Sequence, residues 1–432
     1  PARTFALHGP LPAQISSARR QKERAGDPTM STQAHHEQAS LFSDDTSTRR
    51  HPRHVLSYGL GLDSTAVLLR WLTDPSSRDF DLSDLVVITA MTGDEFSATG
   101  ADVERYVLPE LRRHRVRFVQ VGRHQLLTTA AGEGITTFSD TTEPDRLFVE
   151  GAYALSTEML TAGTLPQRGG ARKCSARAKG AVLDPVIARL TGGQPYQHYV
   201  GFEVDEMGRA ERDAAYNTAA RTGRYPLIQW GWTRADCDTF VYNLTGRRWL
   251  KSACSYCPFA LSSARGVQST LQRYAADPAA GALALFIEHV AVCINDKQTL
   301  RPTGRLYDDV AAAGLTGVLD LFHRRLDDTE HAIYEVRRVA KVRRTGTRPV
   351  IARSVRLLDR GSRAGMAAVL LGMPGQLHTG NDGIARSIAL RRGETPPWAE
   401  RFYVACPAVV ADKARPHFER WFAEVAGDVA LF

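Results

Sequence analysis

The sequence predicts an α/β protein built on a doubly wound parallel sheet, followed by a mainly helical region toward the C-terminus. Two observations carry that expectation. Apolar runs of strand length alternate with helically spaced stretches through the first half of the chain. A glycine-punctuated turn separates the first run from the first helical stretch.

The first strand is His54-Val-Leu-Ser-Tyr58, and the apolar spacing from Ser64 to Leu72 reads as a helix. Asp84 to Met91 is a second apolar run. Ala98 to His114 carries Val103, Val107 and Leu111 at helical spacing, and Val116 to Val121 is a third strand. A fourth, Tyr196 to Glu203, comes only after an insertion of about 75 residues rich in Gly and Arg, and such insertions near strand ends usually carry substrate contacts. From Ala264 onward, Ala-Leu-Ala-Leu-Phe and Val-Leu-Asp-Leu-Phe read as helix. The expected organisation is an unfolded leader over 1–53, an α/β domain over 54–265 and a helical, basic region over 266–432. Within the leader, Met30 followed by Ser-Thr-Gln could be the native start.

With 432 residues, 43% hydrophobic and 24% charged, the composition is globular, and no apolar run approaches the roughly 20 residues of a membrane span. Six Cys in so long a chain, with no charged-then-apolar leader, predict a reducing, cytoplasmic setting in which Cys spacing means metal or redox chemistry. The net charge of +8 permits a polyanionic partner. His331 to Arg363 alone holds ten basic residues (Arg337, Arg338, Lys341, Arg343, Arg344, Arg348, Arg353, Arg356, Arg360, Arg363) against Glu335 and Asp359. Such a stretch can line a groove for nucleic-acid phosphates. The alternative is that these arginines, spaced through Val336, Val339, Val342, Val350 and Val355, are the wet face of packed elements.

The most informative stretch is Ser57-Tyr-Gly59-Leu-Gly61-Leu-Asp63-Ser64-Thr65, between a strand and a helix. Gly59 and Gly61 allow a tight turn that brings amides toward an anion, and the helix N-terminus adds partial positive charge. Ser57, Ser64 and Thr65 supply hydroxyls, and Asp63 can orient the loop or help hold Mg2+. The stretch ends in neither a Walker Gly-Lys-Ser/Thr nor a Gly-x-Gly-x-x-Gly pattern. It resembles the PP-loop of the ATP pyrophosphatase superfamily, and within it the phosphoadenosine-phosphosulfate (PAPS) reductase-like branch, although Leu60 stands where glycine is often found. The resemblance implies an adenine nucleotide α-hydrolase-like fold that binds ATP and transfers AMP to an oxygen. Thr92-Gly-Asp94-Glu95 and Gly201-Phe-Glu-Val-Asp205-Glu206-x-x-Arg209-x-x-Arg212 resemble further motifs of that branch. Asp63, Ser64 and Asp94 are accordingly the catalytic candidates. Ser57, Gly59, Gly61, Ser64, Thr65, Asp205 and Arg209 are candidates for holding the nucleotide.

Cys254-Ser-Tyr-Cys257 is a Cys-x-x-Cys pair, a spacing that lets two thiolates meet one metal, and Cys174 and Cys237 would complete a four-sulfur set for a [4Fe–4S] cluster or zinc. The same four correspond best to the cluster ligands of DNA phosphorothioation relatives, which the arrangement over about 54–265 resembles. Arg168, Arg172, Lys173, Arg177 and Lys179 flank Cys174 and either favour its thiolate or form a solvated loop. Cys293 and Cys406, amid apolar neighbours, read as core.

Three functions follow. The first is adenylylation of an acceptor oxygen, in nucleic acid of the DNA phosphorothioation type, so that sulfur replaces it, with a cysteine desulfurase as a possible partner. The second is reduction of PAPS or adenylyl sulfate, against which the chain shows no Glu-Cys-Gly-Leu-His-type tail. The third is a non-catalytic nucleotide-binding subunit of a sulfur-transfer or defence complex.

Overall fold

Strand β1 (His54–Ser57) leads through a four-residue loop into helix α1 (Leu62–Thr73), and β2 (Leu85–Met91) returns alongside it in parallel register. The computed structural model describes residues 51–166, 173–342 and 349–429. The expected helix over 98–114 is two, α2 (Ser97–Tyr106) and α3 (Leu108–Arg113). Pro109 falls in the first turn of α3, where its missing N–H costs no intrahelical bond. Strand β3 (Arg117–Arg123) pairs parallel with β2, and β4 (Ile135–Thr141) turns back antiparallel at the edge.

Helix α4 (Leu155–Ala162), the short turn α5 (Lys173–Ser175) with the π-helical Ala176–Gly180, and α6 (Ala181–Thr191) follow. Strand β5 (Tyr196–Tyr199) then pairs parallel with β1 from its other side. Helix α7 (Met207–Ala214), β6 (Arg221–Arg224), the single turn α8 (Pro226–Gln229) and α9 (Arg234–Thr245) complete this part. The sheet order is β4-β3-β2-β1-β5-β6. Strand β2 is buried throughout, because helices cover both faces: α1, α3 and α9 pack on one side with Leu56, Val87 and Phe118, and α6 on the other with Val55, Val86 and Val121. This is an α/β fold on a mixed six-stranded sheet.

The mainly helical reading of the C-terminal region is corrected. Helices α10 (Ala264–Ala276), α11 (Pro278–Ile294), α12 (Leu306–Ala312) and α13 (Thr316–Asp328) do form, but 331–407 builds a second, antiparallel sheet. Its strands are β7 (His331–Lys341), β8 (Val350–Gly361), β9 (Gln376–Thr379), β10 (Ala385–Leu390) and β11 (Trp398–Pro407), in the order β8-β7-β11-β10-β9. Helix α14 (Arg363–Leu371) interrupts the strands and α15 (Phe418–Val429) follows them. Val336, Val339, Val350 and Val355 lie in β7 and β8, where β-branched side chains suit a pleated surface.

One apolar cluster ties the two halves. Tyr256, Leu261 and Tyr274 share it with α11, with Ala332 and Tyr334 of β7, and with Phe402 and Val404 of β11. The described residues fall in one compact unit. Among them no helix is long and apolar enough to cross a membrane. The leader expected over 1–53 lies outside the described residues except for His51, Pro52 and Arg53, of which Arg53 pairs with Asp84 at 2.9 Å.

Candidate functional site

Strand β1 pairs with β2 on one side and β5 on the other, so the strand order reverses at β1, the kind of position beside which open α/β sheets usually bind ligands. The Ser57–Thr65 stretch occupies that position. Gly61 precedes α1 without any side-chain cap, and the first intrahelical bond is donated by Thr65 N–H to Gly61 O at 3.0 Å. The amides of Leu62, Asp63 and Ser64 precede it, the usual anion-binding arrangement of a helix start. The loop carbonyls are held elsewhere: Ser252 Oγ donates to Gly59 O at 2.8 Å and Trp249 Nε1 to Leu60 O at 3.1 Å. Leu60 takes the left-handed conformation, φ 61°, which costs a non-glycine residue about 1–2 kcal/mol. Its buried side chain and the Trp249 bond hold it there.

Gly201 explains how closely the next motif approaches. A Cβ there would stand 2.8 Å from Ser64 N and 3.0 Å from Ser64 Cα, so only glycine lets this backbone lie on the start of α1. Glu203 is buried and accepts from Asp205 N–H at 2.9 Å. Asp205 is exposed, and Arg209 pairs with Glu206 while its guanidinium lies 4.5 Å over the Phe202 ring.

The hydroxyls divide. Ser57 Oγ sits 2.7 Å from His198 Nε2 on β5, and Ser64 Oγ donates to Gly61 O at 3.2 Å. Thr65 is fully buried with its hydroxyl 3.1 Å from Tyr58 OH, so it supports the loop from beneath. Asp63 meets Arg234 at 3.1 Å, at the start of α9. Burial raises the Asp63 pKa, Arg234 opposes the rise, and Glu206 and Glu203 add to it.

Asp94 is engaged by several donors of the fold. Its carboxylate, 5% exposed, accepts from Ser156 N–H at 2.7 Å and from Tyr256 OH at 2.6 Å, and its carbonyl accepts from Ser255 N–H at 2.9 Å. Burial raises its pKa against those donors. It therefore fastens the end of β2 to α4 and to the Cys254–Cys257 turn. Glu95, next in sequence, bridges to Cys254 through the backbone, lies 3.9 Å from Lys179, and leaves Oε2 buried without a hydrogen bond.

Cys254 and Cys257 share one turn, closed by Cys257 N–H donating to Cys254 O at 3.0 Å. Cys174 and Cys254 both border the cluster around Tyr256, and both push the Tyr256 phenol pKa upward, after burial. Cys254 is itself raised, by burial and then Glu95, with Lys179 opposing. Cys237 is elsewhere: it is fully buried on α9 with Leu227 and Val241, beneath Asp63, and burial pushes its thiol up to about 12. Three of the four expected sulfurs thus share a neighbourhood that the fourth does not. Among the described residues no three His, Cys, Asp or Glu side chains stand in a metal-ligating arrangement. Of the basic residues flanking Cys174, Arg177 pairs with Glu158 at 2.7 Å, and Arg168 and Arg172 lie outside the described residues.

Most of the described basic side chains of the segment meet acids, five of them from other parts of the chain. Arg337 binds Glu419 at 2.6 Å, Arg338 binds Glu400 at 3.1 Å, and Arg356 lies 3.5 Å from Glu335. Lys341 pairs with Glu424, Arg360 with Glu330 and Arg363 with Asp327. Arg353 donates to the carbonyls of Ala162 and Gly163. Arg343, Arg344 and Arg348 lie outside the described residues. Among the described residues, five of the segment's basic side chains are thus paired with acids from outside it.

Sequence reasoning missed His198, Arg221, Trp249 and Ser252, and assigned no role to Arg234. The signal for Arg234 was available: Thr233 and Asp236 form a capping box that starts α9 beside the loop. Compared with protein-family models, curated proteins and solved structures, the chain matches none.

Proposed function

We propose that this chain is a PP-loop ATP pyrophosphatase of doubly wound, adenine nucleotide α-hydrolase-like fold that adenylylates an acceptor oxygen. The acceptor oxygen attacks the α-phosphorus of ATP, the bond to the β,γ-pyrophosphate breaks, and pyrophosphate leaves. A sulfur nucleophile then displaces AMP, replacing the oxygen. The observation that carries this reading is the uncapped start of α1 at a strand-order reversal, with the Gly59 and Leu60 carbonyls drawn off by Ser252 and Trp249. That arrangement suits a polyanion, with backbone amides at the helix start doing the work that a lysine does in a Walker loop.

The Ser57 hydroxyl donates to a phosphate oxygen in this account, Ser64 does so by turning its hydrogen away from Gly61 O, and Gly201 keeps the facing backbone close. Magnesium, which neutralises the triphosphate and the leaving pyrophosphate, fits the exposed Asp205 better than Asp94, whose carboxylate is already occupied, and would take Asp63 in exchange for Arg234. An iron-sulfur cluster, or zinc in its place, would draw on the soft thiolates of Cys174, Cys254 and Cys257, while Cys237 lies in a different apolar cluster. Nucleic acid as the acceptor, and a desulfurase as the sulfur source, rest on the resemblance of motifs alone, because the described basic residues of 331–363 are paired.

The occupied Asp94 carboxylate favours a second reading, a nucleotide-binding subunit that does not turn ATP over. Both readings require binding at the loop. Equilibrium titration with an ATP analogue whose α–β bridge cannot be cleaved tests it: wild type binds, and Ser57→Ala and Ser64→Ala each weaken binding by about tenfold. Absence of binding by wild type removes both readings.

A further inference from the structure

The second sheet carries a cavity of about 450 Å³, well away in the chain from the loop after β1. It is formed by the residues following α11, the β9–β10 hairpin, the end of β10 with the two arginines after it, and β11. Ile388 and Phe402 give it an apolar wall, and Lys297, Arg386, Arg391 and Arg392 give it cations.

The cavity's three carboxylates are each engaged by a cation: Asp382 by Arg386 at 2.8 Å, Glu400 by Arg338 at 3.1 Å, and Asp296 by Lys297 at 3.7 Å. Arg305 adds a bond to the Asp382 carbonyl. Arg391 and Arg392 form no ion pair among the described residues, although Arg392 lies 5.5 Å over the Trp398 ring and near enough to oppose the rise that burial gives the Glu400 pKa. Arg386 is only 7% exposed, and its buried Nε finds no acceptor. The positive surplus of the cavity therefore rests on the guanidinium groups of two residues adjacent in sequence, beside an apolar wall, with a third buried guanidinium in the lining. Each guanidinium matches a planar or tetrahedral oxyanion through its own pair of N–H donors.

We propose that this cavity binds a small organic oxyanion, a carboxylate or phosphate head on a compact apolar body, with Arg391 and Arg392 holding the head and Phe402 and Ile388 facing the body. The site is separate from the loop after β1 and stands whether or not that loop binds ATP.

Titration calorimetry with phenyl phosphate and with benzoate tests it, using the full chain, the Arg391→Ala/Arg392→Ala variant, the single Arg391→Gln variant at an exposed position, and Ser64→Ala. Wild type is expected to bind at least one probe, with affinity falling about tenfold or more in the double variant and unchanged in Ser64→Ala. Binding of phenyl phosphate alone assigns the head as phosphate, and binding of both assigns oxyanions generally. If the double variant fails to fold, as judged by its thermal transition, Arg391→Gln carries the comparison and is expected to weaken binding in the same direction. Binding of neither probe overturns the proposal, as does equal affinity in the arginine variants. Loss in Ser64→Ala alone assigns the probe to the loop and also overturns it.

Discussion

Arg221 Nε donates to His198 Nδ1 at 2.8 Å, and this contact fixes the state of the imidazole. A guanidinium N–H can only donate, so Nδ1 must carry a lone pair and the single proton of the neutral ring sits on Nε2. Burial first, and Arg221 second, lower the His198 pKa to about 4, which keeps the ring neutral at physiological pH. Nε2–H then donates to Ser57 Oγ across 2.7 Å, leaving the serine hydrogen free to point at an anion. Arg221 is itself held by Asp213 at 2.7 Å, and Asp213 also accepts from Tyr225 OH at 2.9 Å. Arg221 is thus a positioning residue, acting on Ser57 through a tautomer. Nitrogen-resolved NMR of His198 should report the Nε2–H form in wild type and a mixture of tautomers in Arg221→Ala. An unchanged imidazole signature would contradict the relay.

The same histidine sets a pH dependence. Its folded pKa lies below the unfolded value near 6.5, so the unfolded chain binds more protons between about pH 6.5 and 4 and stability falls as pH drops through that window. The contribution is roughly 3 kcal/mol across the window. His198→Gln, which keeps a donor toward Ser57 but does not titrate there, should flatten the urea midpoint against pH. A slope equal to that of wild type would exclude His198 as its source.

Gly201→Ala should displace the start of α1 or the loop bearing Gly201, because the added methyl meets backbone rather than a flexible side chain. A cost of about 1–3 kcal/mol and weaker nucleotide binding are expected. Gly59→Ala is the control: a Cβ there meets nothing within 4 Å, so its fold should be unaffected. Equal stability of the two variants, measured by chemical denaturation, would contradict the packing described.

Tyr256→Phe removes one of the donors on the buried Asp94 carboxylate and should destabilise by about 1–3 kcal/mol. Because Tyr256 lies between Cys254 and Cys257, the loss should loosen that turn. Faster modification of Cys254 by a thiol reagent in Tyr256→Phe than in wild type is the expected outcome, and equal rates would separate Asp94 from the cysteines.

The paired arginines of β7 make a prediction opposite to the one their linear clustering invites. Arg337→Ala should cost roughly 0.5–1 kcal/mol through loss of Glu419. It should leave the salt dependence of duplex DNA binding unchanged, whereas a phosphate contact would lower that slope by about one. A lowered slope would return β7 to the nucleic-acid interface.

The parallel strands β1, β2 and β3 were legible because each is an apolar run buried in a covered sheet. β4 and β6 were not: β4 reads Ile-Thr-Thr-Phe-Ser-Asp-Thr with every residue half-buried, and β6 reads Arg-Thr-Gly-Arg, made a strand only by pairing with β5. β7 escaped because packing on both faces erases the polar alternation that marks a strand, and its arginines meet acids far away in sequence. In the site, the glycine-rich loop was visible as a local pattern. His198, 141 residues from Ser57, and Ser252, 193 residues from Gly59, reach it only through the fold.

The central claim is cleavage of ATP between its α- and β-phosphates at the loop after β1, and product analysis with ATP labelled at the α-phosphorus tests it most directly. The account predicts that wild type converts the label to AMP or an AMP adduct with release of pyrophosphate, and that Ser64→Ala folds but releases none. Labelled ADP with orthophosphate, or undiminished pyrophosphate release by Ser64→Ala, would contradict it.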